Sequence, residues 1–131
     1  MKKRNIKVKR GDIIWLEKEM LFELLGKSVQ DLERPYLVIS NNKNNDKSPT
    51  INIVSLSKQL KKANYPMHIL LEKSKYNGLK KDSVVLVEQI KTIEKIYVKE
   101  KVGSLDKDDI DKLNKAIFIQ FIDDKLEAEI V

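Results

Sequence analysis

Between Asp12 and Ile90 the chain carries five short, β-branched apolar runs, each closed off by turn-forming residues. Residues 12–17 follow Gly11, residues 35–40 open on Pro35, and residues 50–57 follow Pro49. Residues 66–71 open on Pro66, and residues 83–90 complete the set. Runs of this length and composition read as strands rather than helices. Five of them in about 80 residues predict a compact barrel or a strongly bent sheet. The polar stretch Asn41 to Ser48 reads as a loop between the second and third strands.

Two segments break the strand pattern. Met20, Leu21, Leu24 and Leu25 recur at helical spacing within residues 18–30 and stop at Gly26, which predicts a short helix in a long connection. Residues 106–121 carry a stronger signal. Asp106 suits the N-cap, and Asp108 and Asp109 suit the first turn, where the helix dipole favours negative charge. Ile110, Leu113, Ile117, Phe118 and Phe121 then fall on one stripe, which reads as a packing face. The fold class is therefore mainly β with α. Residues 122–131 read as an acidic, partly ordered tail.

Composition narrows the chemistry. With 131 residues the chain is one domain. It has no cysteine, which excludes disulfide scaffolds, thiol catalysis and cysteine-ligated metals. His68 is the only histidine, so a His–His catalytic pair or a multi-histidine metal site cannot form within one subunit. A structural and a catalytic role for His68 both remain open. Gly26-Lys27-Ser28 lacks the earlier glycine of a phosphate-binding loop, because position 21 is Leu. No dinucleotide fingerprint is present, and the reading is that no cofactor and no metal is used. No apolar run approaches the ~20 residues of a membrane span, and a cytoplasmic location is expected.

The charge is unevenly spread. Of 26 Lys and Arg, six lie in residues 1–10, where there is no acid. Residues 58–101 hold eleven lysines against five acids, and residues 105–131 four against eight. A basic middle attracts a polyanion, although a lysine-solvated surface would look the same. Only Arg4, Arg10 and Arg34 are arginines. Arginine pairs with phosphate through a planar fork that lysine lacks, and Arg34 stands alone at the mouth of the second strand. Ser57 ends the third strand, shares a face with Ser55, and is followed by Lys58, Lys61 and Lys62. Strand ends converge on a small barrel, so these groups form either an anion site or a capped strand beside a surface arginine.

These residues resemble the MazF/PemK toxins of type II toxin–antitoxin systems, which are sequence-specific endoribonucleases. The matching pieces run in order: Arg10-Gly11-Asp12-Ile13-Ile14-Trp15, Arg34 to Asn41, Ser48-Pro49-Thr50, and Ile53 to Ser57. Pro66-Met67-His68, Asp82 to Thr92 and the C-terminal helix follow. The resemblance spans about residues 8 to 121. It implies an SH3-like barrel of five to seven strands with a C-terminal helix, as a single domain over residues 1–131. Residues 1–9 would be a basic extension and 122–131 an acidic tail. It also implies a homodimer, a cognate antitoxin and single-stranded RNA as substrate.

By the same resemblance Arg34 and Ser57 are the catalytic residues, the latter where the family usually has threonine. The family cuts RNA without metal: the ribose 2′-hydroxyl attacks phosphorus, leaving a 2′,3′-cyclic phosphate and a 5′-hydroxyl. A guanidinium and a hydroxyl aimed at the phosphoryl oxygens stabilise the charge that builds there. A guanidinium is a poor base near neutrality, so charge stabilisation is the role assigned to Arg34. His68, Ser83, Gln89 and Lys91 align with RNA contacts, and Lys58, Lys61 and Lys62 would hold backbone phosphates. The chain departs from the family in its first loop, which is Leu-rich from Met20 to Leu25 and ends Gln30-Asp31-Leu32-Glu33. A non-catalytic nucleic-acid binder, or a gyrase-targeting protein like the related CcdB toxins, is the alternative on the same fold.

Overall fold

The computed structural model describes residues 6–19 and 34–123. Six strands form one sheet: β1 (Asp12–Leu16), β2 (Tyr36–Val38), β3 (Thr50–Ser57), β4 (His68–Leu71), β5 (Ser83–Glu94) and β6 (Val98–Ser104). Their spatial order is β4-β5-β3-β2-β1-β6, and every pairing is antiparallel. The five strands expected from sequence all form, and the fifth runs on to Glu94. The sixth, β6, was not expected. The Asn41–Ser48 stretch is also not a loop throughout: it contains a short helix, α1 (Asn42–Lys47). Its N-cap Asn41 accepts from the Asn44 amide, and buried Asn45 bonds the Ser40 carbonyl and hydroxyl. Side-chain amides thus supply the helix with partners that its composition does not advertise.

The C-terminal helix α2 (Lys107–Phe121) forms where expected. Asp106 is its N-cap, accepting from the Asp109 amide at 2.8 Å. The apolar stripe packs as a core face: Leu113 and Ala116 are buried, and Ile110 and Ile117 are half-buried against the same cluster. Phe121, at the stripe's end, is exposed. The expected helix over 18–30 lies, beyond residue 19, outside the described residues, as do residues 1–5 and 124–131.

Both faces of the sheet are apolar. One core, beneath α2, gathers Ile13, Leu37, Val54, Leu56, Ile69 and Val85. The other gathers Ile14, Leu16, Tyr36, Val38, Ile51 and Ile53. Adjacent residues such as Ile13 and Ile14, or Tyr36 and Leu37, point to opposite cores, as period-two alternation requires. A single layer buries both faces only by bending on itself, so the second core is closed by Val8, Val98 and Ile93. Among the described residues no helix is long and apolar enough to cross a membrane.

Candidate active site

The β2–β3 register decides how Arg34 and Ser57 meet. Tyr36 lies opposite Ser55, Leu37 opposite Val54 and Val38 opposite Ile53. Continued two residues past the start of β2, this register sets Arg34 opposite Ser57. Opposed residues on antiparallel strands share a face, with Cβ atoms about 4.5–5.5 Å apart. Arg34 is exposed, whereas Ser57 is buried at the end of β3. The Ser57 hydroxyl oxygen accepts from the Gln59 amide at 3.1 Å, which orients the hydroxyl and leaves its own proton to donate elsewhere. Arg34 also bears on Tyr36: burial pushes the Tyr36 phenol above its ordinary 10.0, and the Arg34 charge acts the other way.

A second group assembles where β5 departs from β3. Val54 pairs with Ile90, but Leu56 pairs with Val85. Two residues of β3 therefore span five of β5, and the excess falls as a bulge at residues 86–89. The bulge carries Glu88 and Gln89 to the wall of a cavity of about 680 Å³, shared with Lys61, Lys62, Tyr65 and His68. Lys61 and Lys62 belong to a single 3-10 segment, Leu60–Asn64. His68 is buried there, its ring edge-on to Tyr65 at 5.2 Å between centroids. Its Nδ1 lies 2.7 Å from the Lys62 carbonyl oxygen, and its Nε2 lies 2.6 and 2.7 Å from the Glu88 oxygens. Both partners are acceptors, so the ring nitrogens are engaged with protein. His68 thus holds the 58–67 connection onto β5.

Of the nine residues expected from sequence, Lys61, Lys62, His68 and Gln89 come together in this cavity. Lys58 and Ser83 line a separate, smaller cavity. Lys91 lies beyond the bulge opposite Ile53 and lines neither. Sequence reasoning missed Glu88 and Tyr65. Glu88 adjoins Gln89, but only the bulge turns both into one wall, and no glycine or proline marks it. Among the described residues no three His, Asp or Glu side chains gather in a way that could hold a metal ion.

A six-stranded antiparallel sheet with apolar cores on both faces and a C-terminal helix packed over one of them define a small, mainly β domain. Residues 9–121 match the family model for the PemK-like, MazF-like toxin of type II toxin–antitoxin systems, and the chain belongs to that family. It is 38% identical over 112 residues to endoribonuclease EndoA of Bacillus subtilis, covering 86% of this chain and 92% of that protein. It is 42% identical over 112 residues to endoribonuclease MazF of Staphylococcus saprophyticus, covering 86% and 89%. The fold matches a mycobacterial endoribonuclease solved with its cognate antitoxin, with TM-score 0.65, 21% identity and coverage of 85% and 91%. It also matches the MazE–MazF complex of Deinococcus radiodurans, with TM-score 0.65, 16% identity and coverage of 90% and 98%.

Proposed function

We propose that this toxin is a metal-independent endoribonuclease that cuts single-stranded RNA, with Arg34 and Ser57 as its catalytic residues. The observation that supports the reading is the β2–β3 register, in which Tyr36 lies opposite Ser55; extended by two residues, it sets Arg34 opposite Ser57. The ribose 2′-oxygen attacks the adjacent phosphorus and loses its proton, and the bond from phosphorus to the 5′-oxygen breaks. That oxygen takes up a proton, leaving a 2′,3′-cyclic phosphate and a 5′-hydroxyl. Negative charge peaks on the non-bridging oxygens midway. Arg34 and the Ser57 hydroxyl donate to them there more strongly than in the ground state.

Lys58, Lys61 and Lys62 hold backbone phosphates, and Lys91 does so farther along β5. Ser83 and Gln89 meet base edges, because unpaired bases are what RNA-cutting proteins of this kind can read. His68 contributes through the wall it holds together. Membership of a toxin–antitoxin family supports a cognate antitoxin as partner. The enzyme acts as a homodimer in the cytoplasm, where its substrate is.

The test is incubation of purified protein with a long mixed-sequence RNA in EDTA, followed by sequencing of the cut ends. Cleavage with 5′-hydroxyl ends is expected. Arg34→Ala and Ser57→Ala each should lower the rate by roughly 10²–10³, while Ser57→Thr retains activity because it keeps the donor. Intact RNA, or an Arg34→Ala variant cutting at the parental rate, would overturn the assignment in favour of a non-catalytic binder.

A further inference from the structure

The smaller cavity, of about 270 Å³, is lined by Trp15, Pro35, Lys58, Lys80, Lys81 and Ser83. Pro35 adjoins Arg34 and Lys58 adjoins Ser57. Strand alternation turns Pro35 and Lys58 to the opposite face from their neighbours. The cavity and the catalytic pair thus occupy the same end of the β2–β3 ribbon, on its two sides, one residue apart along each strand. A strand of RNA crossing that end reaches both.

The cavity is built rather than incidental. Gly78 and Leu79 also line it, at the end of a 72–79 loop knotted by buried Asn77. The Asn77 amide nitrogen donates to the Glu72 carbonyl at 2.8 Å, and its oxygen accepts from the Ser74 and Leu79 amides. Gly78, at φ +72°, seats that loop against β6, where a Cβ would meet the Val102 carbonyl oxygen at 2.4 Å. Val102 itself is extra in the β1–β6 pairing, since Ile13 pairs with Gly103 and Ile14 with Lys101, and it lines the same cavity. Walls fixed in this way are pre-formed for a ligand.

The lining selects the ligand. Trp15, the chain's only tryptophan, is half-buried and offers an aromatic wall. Lys58, Lys80 and Lys81 are exposed around it. The Ser83 hydroxyl donates to the Lys81 carbonyl at 3.0 Å, leaving its oxygen able to accept. An aromatic plane, an acceptor and a cationic rim suit a flat, polar ring attached to a phosphate chain. The volume is below that of drug-sized pockets and suits one ring system.

We propose that this cavity takes one unpaired nucleobase of the RNA strand, next to the nucleotide held at Arg34 and Ser57. Trp15 stacks on the base, Ser83 accepts from its edge, and Lys80 and Lys81 hold the flanking phosphate. The proposal rests on the RNA-cleaving reading and adds Trp15, Lys80 and Lys81 to it.

The sole tryptophan makes the test direct. The probe is an RNA oligonucleotide carrying the cut sequence, with 2′-deoxyribose at the scissile nucleotide so that it binds without being cut. Trp15 emission should change saturably on titration. An abasic site at one position beside the scissile phosphate should abolish the change and weaken binding about 5- to 150-fold. Trp15→Phe should bind within a few fold and Trp15→Leu should bind much less. Lys80→Ala and Lys81→Ala each should flatten the plot of log affinity against log salt by about 0.7. Unchanged emission at saturation, or an identical response with every abasic oligonucleotide, overturns the proposal. Emission that responds to an acidic antitoxin peptide but not to RNA assigns the cavity to a protein partner and overturns it too. If ordinary RNA is cut while Trp15 stays silent, only this proposal fails; if it is not cut at all, the underlying reading fails.

Discussion

Tyr36 is fully buried, and its phenol oxygen has no hydrogen-bond partner among the described residues. Such a group forfeits its bonds to water, at a cost of about 1–3 kcal/mol. It sits two residues from Arg34, at the edge of the second core. Tyr36→Phe removes the orphaned hydroxyl and keeps the ring, so it should leave stability at pH 7 unchanged or raise it by about 1 kcal/mol. The pH dependence separates this from generic packing. Burial raises the folded phenol above 10.0, so above pH 10 the unfolded chain loses that proton first. The unfolded state gains, and stability falls as pH rises from 10 toward the raised folded value. Urea midpoints measured between pH 8 and 11 should therefore fall more steeply for the parent than for Tyr36→Phe. Sequence alone singled out Arg34 and Ser57 as an anion site or a capped strand beside a surface arginine, because a lone arginine before a proline and a serine at a strand end are visible as letters; only the family resemblance made them a catalytic pair. The predicament of Tyr36 is not visible, since it depends on what surrounds its ring.

At the scale of elements, legibility followed local chemistry. The five β-branched runs and the Asp106-capped helix carry their signals within a few residues, and they formed where expected. β6 reads Val-Lys-Glu-Lys-Val-Gly-Ser and sits at a sheet edge with its charged residues exposed. Charges protect such an edge from pairing with other chains, and the same charges hide it from a search for apolar alternation. The β5 bulge is a property of two strands of unequal count, so neither strand alone reveals it. His68 belongs to this class. By sequence its options were structural or catalytic, and the family resemblance implied an RNA contact; in the fold it joins the 58–67 connection to Glu88. His68→Ala should cost about 1–3 kcal/mol of stability, because the Lys62 carbonyl and Glu88 lose the ring that bridges them. It should also raise KM for RNA more than it lowers kcat, because the cavity wall loosens while Arg34 and Ser57 keep their register. The sequence preference of cleavage should stay as in the parent. A changed preference, read from sequenced RNA ends, would mean that His68 itself contacts a base.

For the whole molecule, the net charge of +6 overstates what reaches a substrate. The Arg10 side chain donates from Nε to the Ile39 carbonyl at 3.0 Å and from Nη1 to Asn114 at 2.5 Å, stapling α2 to the sheet. Burial lowers its pKa, as expected for a guanidinium used internally. Lys95 donates to the Asn45 carbonyl at 2.6 Å, and Lys101 pairs with buried Asp12 at 3.2 Å. By contrast Lys58, Lys61, Lys62, Lys80 and Lys81 line the two cavities. If three to five of these meet phosphates, log affinity for RNA should fall against log salt with a slope of about −2 to −3.5. Between about 50 and 200 mM salt that is a loss of roughly 15- to 130-fold. Filter binding to an RNA with 2′-deoxyribose at the scissile nucleotide measures this without turnover. A slope near zero would mean that these lysines are only a solvated surface. A slope unchanged by Lys61→Ala and Lys62→Ala together, yet lowered by Lys80→Ala, would route the strand past Trp15 and away from His68.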